Sequence, residues 1–254
     1  MVAFLSILLL LISVGFFTLL ERKFLAYIML RKGPSKPSFF GLPVPFADAT
    51  KLLSKLPSWP VSASLFLMVF ACLLGFVIPC FLWLFAQPSS SFLTFFYSLL
   101  GILVWISVSV YSLLAAGWGS SSKYALLGGL RSIAQCISYE VCLSLLMLCV
   151  SLFSGFNLLD PNCWFFFIFL FHIVVLLFVI VLAETNRSPF DFAEGESELV
   201  SGFNVEYSGS GFVVLFLSEY LSILFISMIV SCISFSGSSF LSLLGCLLFS
   251  CSFI

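Results

Sequence analysis

Carboxylates are the residues of this sequence most able to do chemistry, and six of its eleven acidic residues lie in one segment, residues 184–207. The segment separates two apolar runs, 163–183 and 210–234, and Phe, Leu and Val residues are interspersed with its acids. Carboxylates held close together raise each other's pKa, because like charges repel. Such groups can pass protons or bind the polar head of a ligand, whereas the alternative is a solvated acidic loop, because charge blocks usually face water.

The beginning of this acidic segment predicts a helix. Ser188 would be its N-cap, Pro189 its first helical residue, and Asp191 the acid that follows three residues after the cap. On such a helix Asp191, Glu194 and Glu198 share one stripe, because residues three and seven positions apart lie on the same face.

Two further glutamates, Glu140 and Glu219, interrupt apolar runs. A charged side chain at the centre of a bilayer costs roughly 2.5–3.5 kcal/mol on insertion scales, so it usually faces the interior of a bundle and marks an ion or proton pathway. Glu184, at the end of the fifth apolar run, would connect them with the acidic segment. We expect a chain of acids from the inside surface to the middle of the membrane; the alternative for Glu140 and Glu219 is a hydrogen bond between helices.

The elements that must position these acids are membrane-spanning helices. Only 8% of the residues are charged, whereas soluble domains average about 25%. Apolar runs of the length that crosses the roughly 30 Å hydrocarbon core predict an all-α polytopic membrane protein, a single membrane domain (1–254) with about seven spans. The runs are 1–20, 61–86, 92–116, 133–153, 163–183, 210–234 and 240–254, of which the last is short for a full span.

The positive charges predict the orientation of these spans. All ten Lys and Arg residues lie in three connections, 21–60, 117–132 and 184–209. An alternating chain places these connections on one side of the membrane, which is the positive-inside pattern. The N-terminus is therefore expected outside, and the basic and acidic segments inside. The few basic residues form no long stripe, so the sequence carries no nucleic-acid footprint.

Metal and redox motifs are absent from the sequence. Its nine cysteines form no C-x-x-C pair, and its single histidine, His172, has no second histidine at helical spacing. We therefore expect no disulfide, metal site or bound cofactor.

Residues 45–56 predict an interfacial helix. Phe46, Ala49 and Leu53 fall on one face, and Asp48 and Lys51 lie off it. A helix of this kind lies in the headgroup plane with its apolar face buried. It could border the mouth of a site for an amphipathic or lipid-soluble molecule, or act as a plain anchor.

Four motifs occur in one order along the chain: ERKFLAYIMLRKGPSK at 21–36, FADATKL at 46–52, SKYALLGGLRSIAQCISYEV at 122–141 and AETNRSPFDFAEGESELVSGFNVEY at 183–207. Together they closely resemble subunit 1 of respiratory complex I, the proton-pumping NADH:ubiquinone oxidoreductase, over residues 15–225. The resemblance implies an all-helical membrane subunit that forms much of the quinone-access chamber and the start of an acidic proton channel.

The resemblance also assigns residues to these two roles. The residues expected at the quinone chamber are Arg22, Arg31, Asp48, Arg187 and Phe190. The residues expected in the proton channel are Glu140, Glu184, Asp191, Glu194, Glu196, Glu198, Glu206 and Glu219.

Activity, on this resemblance, belongs to an assembly of several subunits. Ubiquinone is the implied substrate, while NADH, FMN and the iron–sulfur clusters are implied on other subunits. The implied partners are the peripheral quinone-site subunits, the adjacent membrane-arm subunits and membrane lipid, and no activity is expected of this chain alone. The Phe-rich composition favours the mitochondrial inner membrane, with the matrix as the inside; a bacterial plasma membrane is the alternative.

The sequence also departs from the family pattern. Met29 stands where a Gln is usual, Ser35 where an Asn is usual, and residues 41–45 read GLPVP instead of GLLQP. Leu56 replaces the acid of a usual Lys-Glu-Pro. The final helix is expected to be truncated relative to the family, because no basic segment with an aromatic-Pro-Arg motif follows Leu241.

Two other functions compete with this interpretation. A stand-alone, proton-coupled secondary transporter would also use carboxylates within the membrane, but it predicts an internal repeat. The three inside connections differ in length, charge and motif, and show no repeat. A structural membrane anchor would account for the hydrophobicity, but not for the costly buried acids.

Overall fold

A computed structural model of the chain describes residues 2–37, 39–85, 98–154, 171–193, 195 and 202–234. These residues form α-helices and two short 3₁₀ turns, with no strand in the described ranges. The helices are α1 (Val2–Ile28), α2 (Val44–Ser54), α3 (Leu65–Phe85), α4 (Ser98–Gly119), α5 (Lys123–Ser154), α6 (Phe171–Glu184) and α7 (Gly209–Ser234). The 3₁₀ turns are Phe39–Gly41 and Gly202–Asn204. The predicted all-α class is confirmed.

Five helices in the described part of the chain are long and apolar enough to cross a membrane: Leu5–Ile28, Leu65–Leu84, Leu100–Gly119, Lys123–Cys149 and Gly209–Ser231. They correspond to the first, second, third, fourth and sixth predicted spans. The predicted span 163–183 is described only from Phe171, as part of the shorter helix α6. The predicted run 240–254 lies outside the described residues.

Two of these helices extend beyond the apolar runs that predicted them. α1 continues past residue 20 through Glu21, Arg22 and Lys23, and α5 begins ten residues before the predicted start at 133. Ser122 acts as the N-cap of α5, because its hydroxyl accepts a hydrogen bond from the amide of Ala125 at 3.4 Å. The extensions carry polar residues away from the apolar parts of the helices, on helical backbone.

The main core lies where α3, α4, α5, α6 and α7 meet. It is built from aliphatic residues such as Ile78, Ile106, Met147, Val181 and Ile229. α3 packs against α4 and α7, α4 against α5, and α5 against α6. A second cluster, which includes Met68, Ala116, Phe203 and Tyr207, joins α3 and α4 to the segment that precedes α7.

A helix, α2, is present where the interfacial helix was predicted, at Val44–Ser54 instead of 45–56, and its place at the membrane surface stays a prediction. Pro45 lies in its first turn, where proline needs no amide partner. None of its residues is buried, and Phe46 meets Phe16 of α1 edge to face at 6.0 Å between ring centroids. α2 therefore rests on α1 and α7 with much of its surface unpacked.

The backbone at two points of the acidic segment, Ala193 and Gly202, approaches α5 closely at Gly128. A Cβ atom built on Gly128 would lie 3.0 Å from the Cα of Gly202 and 3.1 Å from the carbonyl oxygen of Ala193. Glycine suits this approach, because Cβ contacts as short as these are tighter than nine in ten of those in proteins and would require the backbone to shift by a few tenths of an ångström.

Replacing Gly128 with Ala should therefore destabilise the protein. The added methyl group must push α5 away from two backbone segments, and overpacking of this kind costs about 1–3 kcal/mol. We expect a lower midpoint temperature of thermal unfolding in detergent. Gly75→Ala is the matched control, because the nearest atom to its Cβ would be Ser218 Oγ at an ordinary 3.5 Å. Equal midpoints for the two variants would contradict the close contact.

Candidate functional site

A cavity of about 260 Å³, lined by both polar and apolar side chains, lies among α3, α4, α5 and α7 and extends to the segment that follows α6. Three predicted proton-channel acids, Glu184, Asp191 and Glu219, lie in its wall together with Arg187. The sequence placed these residues on different elements, and the fold brings them to one space. We call it the acid cavity; its other polar lining residues are Ser109, Ser112, Thr185, Asn186, Ser188, Ser218, Tyr220 and Ser222.

Buried oxygen atoms without partners indicate that the acid cavity is wet. Glu184 is only 9% exposed, and its Oε2 atom has no hydrogen-bond partner within the described residues. The same holds for Oδ1 of Asn186. Buried polar atoms are rarely left unpaired, and water usually satisfies them in a polar space of sufficient size. About 10–15 Å³ of such volume holds one water molecule, so the acid cavity has room for several.

Serine hydroxyls give the cavity a wall of acceptors. Each of four serines donates its proton to the backbone carbonyl three residues earlier in its own helix. The bonds are Ser109 to Ile106 at 2.6 Å, Ser112 to Ser109 at 2.7 Å, Ser218 to Leu215 at 2.6 Å and Ser222 to Glu219 at 2.7 Å. A hydroxyl that has used its proton in this way still offers lone pairs to a donor such as water.

Pro79 of α3 also lines the acid cavity. Proline has no amide proton, so the helical hydrogen bond to the carbonyl of Gly75 is missing. The Cβ position of Gly75 lies 3.5 Å from Ser218 Oγ and 3.8 Å from Ser112 Oγ. Two serine hydroxyls, those of Ser112 and Ser218, therefore lie near Gly75 where α3, α4 and α7 meet.

Two of the remaining predicted acids, Glu140 and Glu206, do not line the acid cavity. Glu140 lies outside its wall, although its negative charge acts on Glu184. Glu206 is half-buried in the turn before α7 and does not line the cavity. Glu194, Glu196 and Glu198 lie outside the described residues, so the predicted stripe of Asp191, Glu194 and Glu198 stays a prediction.

The predicted helix start at Ser188 is wrong for the described residues. Residues 188–193 form turns, in which the amide of Phe190 donates to the carbonyl of Arg187 at 2.7 Å and that of Phe192 to Phe190 at 3.0 Å. The tertiary contact with α5 overrides the local capping signal, because Gln135 binds the carbonyl of Phe190.

Gln135 anchors the segment after α6 to α5. Its Nε2 group donates to the carbonyl oxygens of Ala183 at 2.6 Å and Phe190 at 2.9 Å. One helical turn further along α5, Tyr139 meets the ring of Phe190 edge to face at 6.0 Å. Phe190, predicted at the quinone chamber, therefore packs on α5. The sequence analysis missed Gln135, whose only signal is a polar side chain in a long helix.

Arg187, in the segment after α6, is bound by residues of two helices, α1 and α7. Its Nη1 atom donates to Oε1 of Glu21 at 2.9 Å, and the hydroxyl of Tyr220 donates to Oε2 of Glu21 at 2.7 Å. The guanidinium carbon lies 5.0 Å from the centroid of the Tyr220 ring. We call these three residues the arginine clamp. Burial lowers the pKa of Arg187, but Tyr220 and Glu21 outweigh that effect and the net pKa lies above its usual value, so the side chain stays cationic.

Glu21 and Tyr220 were not predicted as site residues. Glu21 did carry a signal, because it is the only acid in the basic segment 21–36. Tyr220 carried none, since a tyrosine one position after Glu219 in an apolar helix is unremarkable in composition.

A second ion pair joins α1 to α2. Arg22 Nη2 donates to Oδ2 of Asp48 at 2.8 Å, and both side chains are 47% exposed. The fold thus brings together two residues predicted at the quinone chamber. Arg31, the third basic residue of that prediction, is exposed in the turn after α1.

Within the described residues, no group of three or more His, Cys, Asp or Glu side chains is arranged to hold a metal ion. His172 lies in α6, and its side chain lies outside the described part of the chain. Carboxylates and hydroxyls line the acid cavity, and groups of these types can exchange protons directly or through one water molecule.

Comparison with known proteins points to one family. A family model described as NADH dehydrogenase matches residues 1–254. NADH-ubiquinone oxidoreductase chain 1 of Locusta migratoria is 48% identical over 238 residues, which cover 91% of this chain and 75% of the relative. The protein of the same name from Aedes aegypti is 47% identical over 92% of this chain and 76% of the relative. The protein of the same name from Lampetra fluviatilis is 46% identical over 87% of this chain and 70% of the relative.

Removing the Gln135 amide should loosen the segment that carries Arg187 and Asp191. Gln135→Ala leaves two carbonyl oxygens without their donor, at a cost of about 1–3 kcal/mol. We expect faster amide hydrogen exchange in residues 186–193. Ser138→Ala on the same helix is the control, because the Ser138 hydroxyl bonds only to its own helix at the Gln135 carbonyl. Equal exchange in both variants would contradict the anchoring role.

Proposed function

The chain belongs to the NADH dehydrogenase family, and from this premise we propose that it is the membrane subunit of respiratory complex I in which ubiquinone reduction is coupled to proton movement. Family membership favours this function over a stand-alone transporter, which would work without partners. Ubiquinone is the proposed substrate of the assembled complex. NADH, FMN and the iron–sulfur clusters are proposed to be held by other subunits, which supply the electrons.

The proposed location is the mitochondrial inner membrane, with the N-terminus outside and the basic and acidic connections in the matrix. The positive-inside distribution of all ten Lys and Arg residues supports this orientation. The matrix end of the bundle then contains both the acid cavity and the Arg22–Asp48 pair. The proposed partners are the peripheral subunits at this end and the neighbouring membrane-arm subunits.

The convergence of Glu184, Asp191 and Glu219 with Arg187 on one cavity carries the proposal. Carboxylates in a space of low dielectric constant respond strongly to a change of charge nearby. A quinone that receives two electrons develops negative charge until it takes up two protons. The negative charge on the quinone raises the free-energy cost of ionising each nearby acid. When the quinone takes up protons, this charge and its effect on the acids disappear.

Proton transfer in the cavity would follow its polar wall. Glu184 ends α6 and Asp191 follows it, at the end of the bundle that we propose faces the matrix, and Glu219 lies within α7. Water held by the serine acceptors would bridge these acids, since proton transfer needs groups within hydrogen-bond reach or joined by one water molecule. Glu140, whose charge acts on Glu184, would continue the path. Glu194, Glu196, Glu198 and Glu206 remain proposed members of the acidic channel.

Quinone access is proposed at the junction of α1 and α2. An ion pair that is 47% exposed on both sides contributes only about 0–1 kcal/mol to stability. Its charged groups remain able to bind a polar quinone head group, and the unburied surface of α2 suits a lipid-soluble molecule. Arg31, Arg187 and Phe190 are proposed to border the same chamber.

Glu219→Gln tests the proton path. The amide keeps the size of the side chain but cannot carry the proton, so we expect proton pumping in the assembled complex to fall more than NADH oxidation. The measurement is the number of protons moved per NADH oxidised in sealed vesicles. Lys123→Gln is the control, because it also removes one charge but from an exposed site at the start of α5. An unchanged ratio for both Glu219→Gln and Glu140→Gln would refute the path.

Asp48→Asn tests the access site. Loss of the pair leaves Arg22 without its carboxylate, and a change of about 1 kcal/mol in binding corresponds to a several-fold change in affinity. We expect a raised KM for a short-chain ubiquinone with little change in kcat. Lys51→Gln on the same helix is the matched control, since Lys51 lies outside the pair. Identical KM values for the two variants would remove α2 from the proposed site.

A further inference from the structure

The arginine clamp joins three separate parts of the fold at the wall of the acid cavity. Glu21 comes from α1, Tyr220 from α7, and Arg187 from the segment after α6. Both carboxylate oxygens of Glu21 are used, one by Arg187 and one by Tyr220. Arg187 and Tyr220 also line the cavity, whereas Glu21 lies behind them. The clamp therefore fixes the position of a positive charge next to three acids.

Stability alone is a poor explanation for this arrangement. The side chains of Arg187 and Glu21 are only 23% and 14% exposed. Taking two charges out of water costs free energy that their attraction only partly returns, and apolar residues of similar size are often equally stabilising. The contacts instead keep the charge of Arg187 in one position. The ring of Tyr220 lies against the Arg187 guanidinium, and the Tyr220 hydroxyl donates to the Glu21 carboxylate that binds it.

A held charge differs from a mobile one in its effect on the cavity. An arginine side chain has many rotamers, and a free guanidinium could move to pair directly with Asp191 or Glu219. Such a direct pair would trap one acid in its charged form. With Glu21 as its partner, Arg187 instead keeps its charge in one position at the wall of the cavity that these acids line.

We propose that Glu21 and Tyr220 are positioning residues, which hold Arg187 as a fixed positive charge at the acid cavity and thereby set how strongly quinone reduction drives the cavity acids. This inference rests on the proposed function. Neither Glu21 nor Tyr220 needs to carry a transferred proton. Their contribution is made through Arg187, and it disappears when Arg187 is absent.

The test is the proton-to-NADH ratio of the assembled complex in sealed vesicles, measured for Glu21→Gln, Arg187→Gln and the double variant. Glu21→Gln keeps the shape of the side chain and can still accept from Tyr220, but it loses the charge that holds Arg187. We expect partial loss of the ratio in each single variant. The double variant should be no worse than Arg187→Gln alone, because residues that act as one unit are not additive.

A merely structural role gives a different result. It would lower the amount of assembled complex but leave the ratio of the remaining complex unchanged, and that outcome would overturn the proposal. Additive losses in the double variant would overturn it too. If the Glu21→Gln subunit does not assemble, Tyr220→Phe decides, since it keeps the ring below the guanidinium and removes only the donor. An unchanged ratio in Tyr220→Phe would then reject the positioning role.

Glu219→Gln in the same assay separates this inference from the function on which it rests. If Glu219→Gln lowers the ratio and the clamp variants do not, only the positioning role fails. If Glu219→Gln and Glu140→Gln both preserve the ratio, the proposed proton path fails as well. Lys123→Gln again controls for the loss of one exposed charge.

Discussion

The free-energy cost of placing charge among apolar helices is the constraint on which this structure depends. The described bundle has an aliphatic core, and four charged side chains lie beside it around the acid cavity: Glu184, Arg187, Asp191 and Glu219. Each buried charge there must find a partner, water or a proton. Arg187 has Glu21, and the cavity provides space and acceptors for water around Glu184. The segment after α6 can therefore lie against the bundle without leaving its polar groups unsatisfied.

Close packing of small residues makes room for these polar contacts. Gly128 lets the chain at Ala193 and Gly202 approach α5, and Gly117 and Gly129 allow α4 and α5 to meet at a similar distance. Gln135 then reaches the carbonyl oxygens of Ala183 and Phe190. The acidic segment thus approaches α5 closely with its backbone at two points, Ala193 and Gly202. Its side chains, including Asp191 and Arg187, remain available to the cavity.

The long apolar helices were predictable from the sequence, whereas the contacts between residues distant in the chain were not. Apolar runs predicted the long helices because a backbone in hydrocarbon must form its own hydrogen bonds. The helix start at Ser188 failed because Gln135, more than fifty positions away, binds the segment in another conformation. Glu184, Asp191 and Glu219 could be proposed as a group because each acid beside an apolar run is costly. Glu21 could not be paired with Arg187, since 166 positions separate them and spacing reports only neighbours on one element.

The end of α1 connects the two proposed sites through consecutive residues. Glu21 binds Arg187 at the acid cavity, and Arg22 binds Asp48 of α2. Consecutive residues of an α-helix, with 3.6 residues per turn, point in directions about 100° apart, so one helix can face both sites at once. A helix is stiff over this distance, so α1 holds its ion pair with Arg187 and its ion pair with Asp48 at a constant separation.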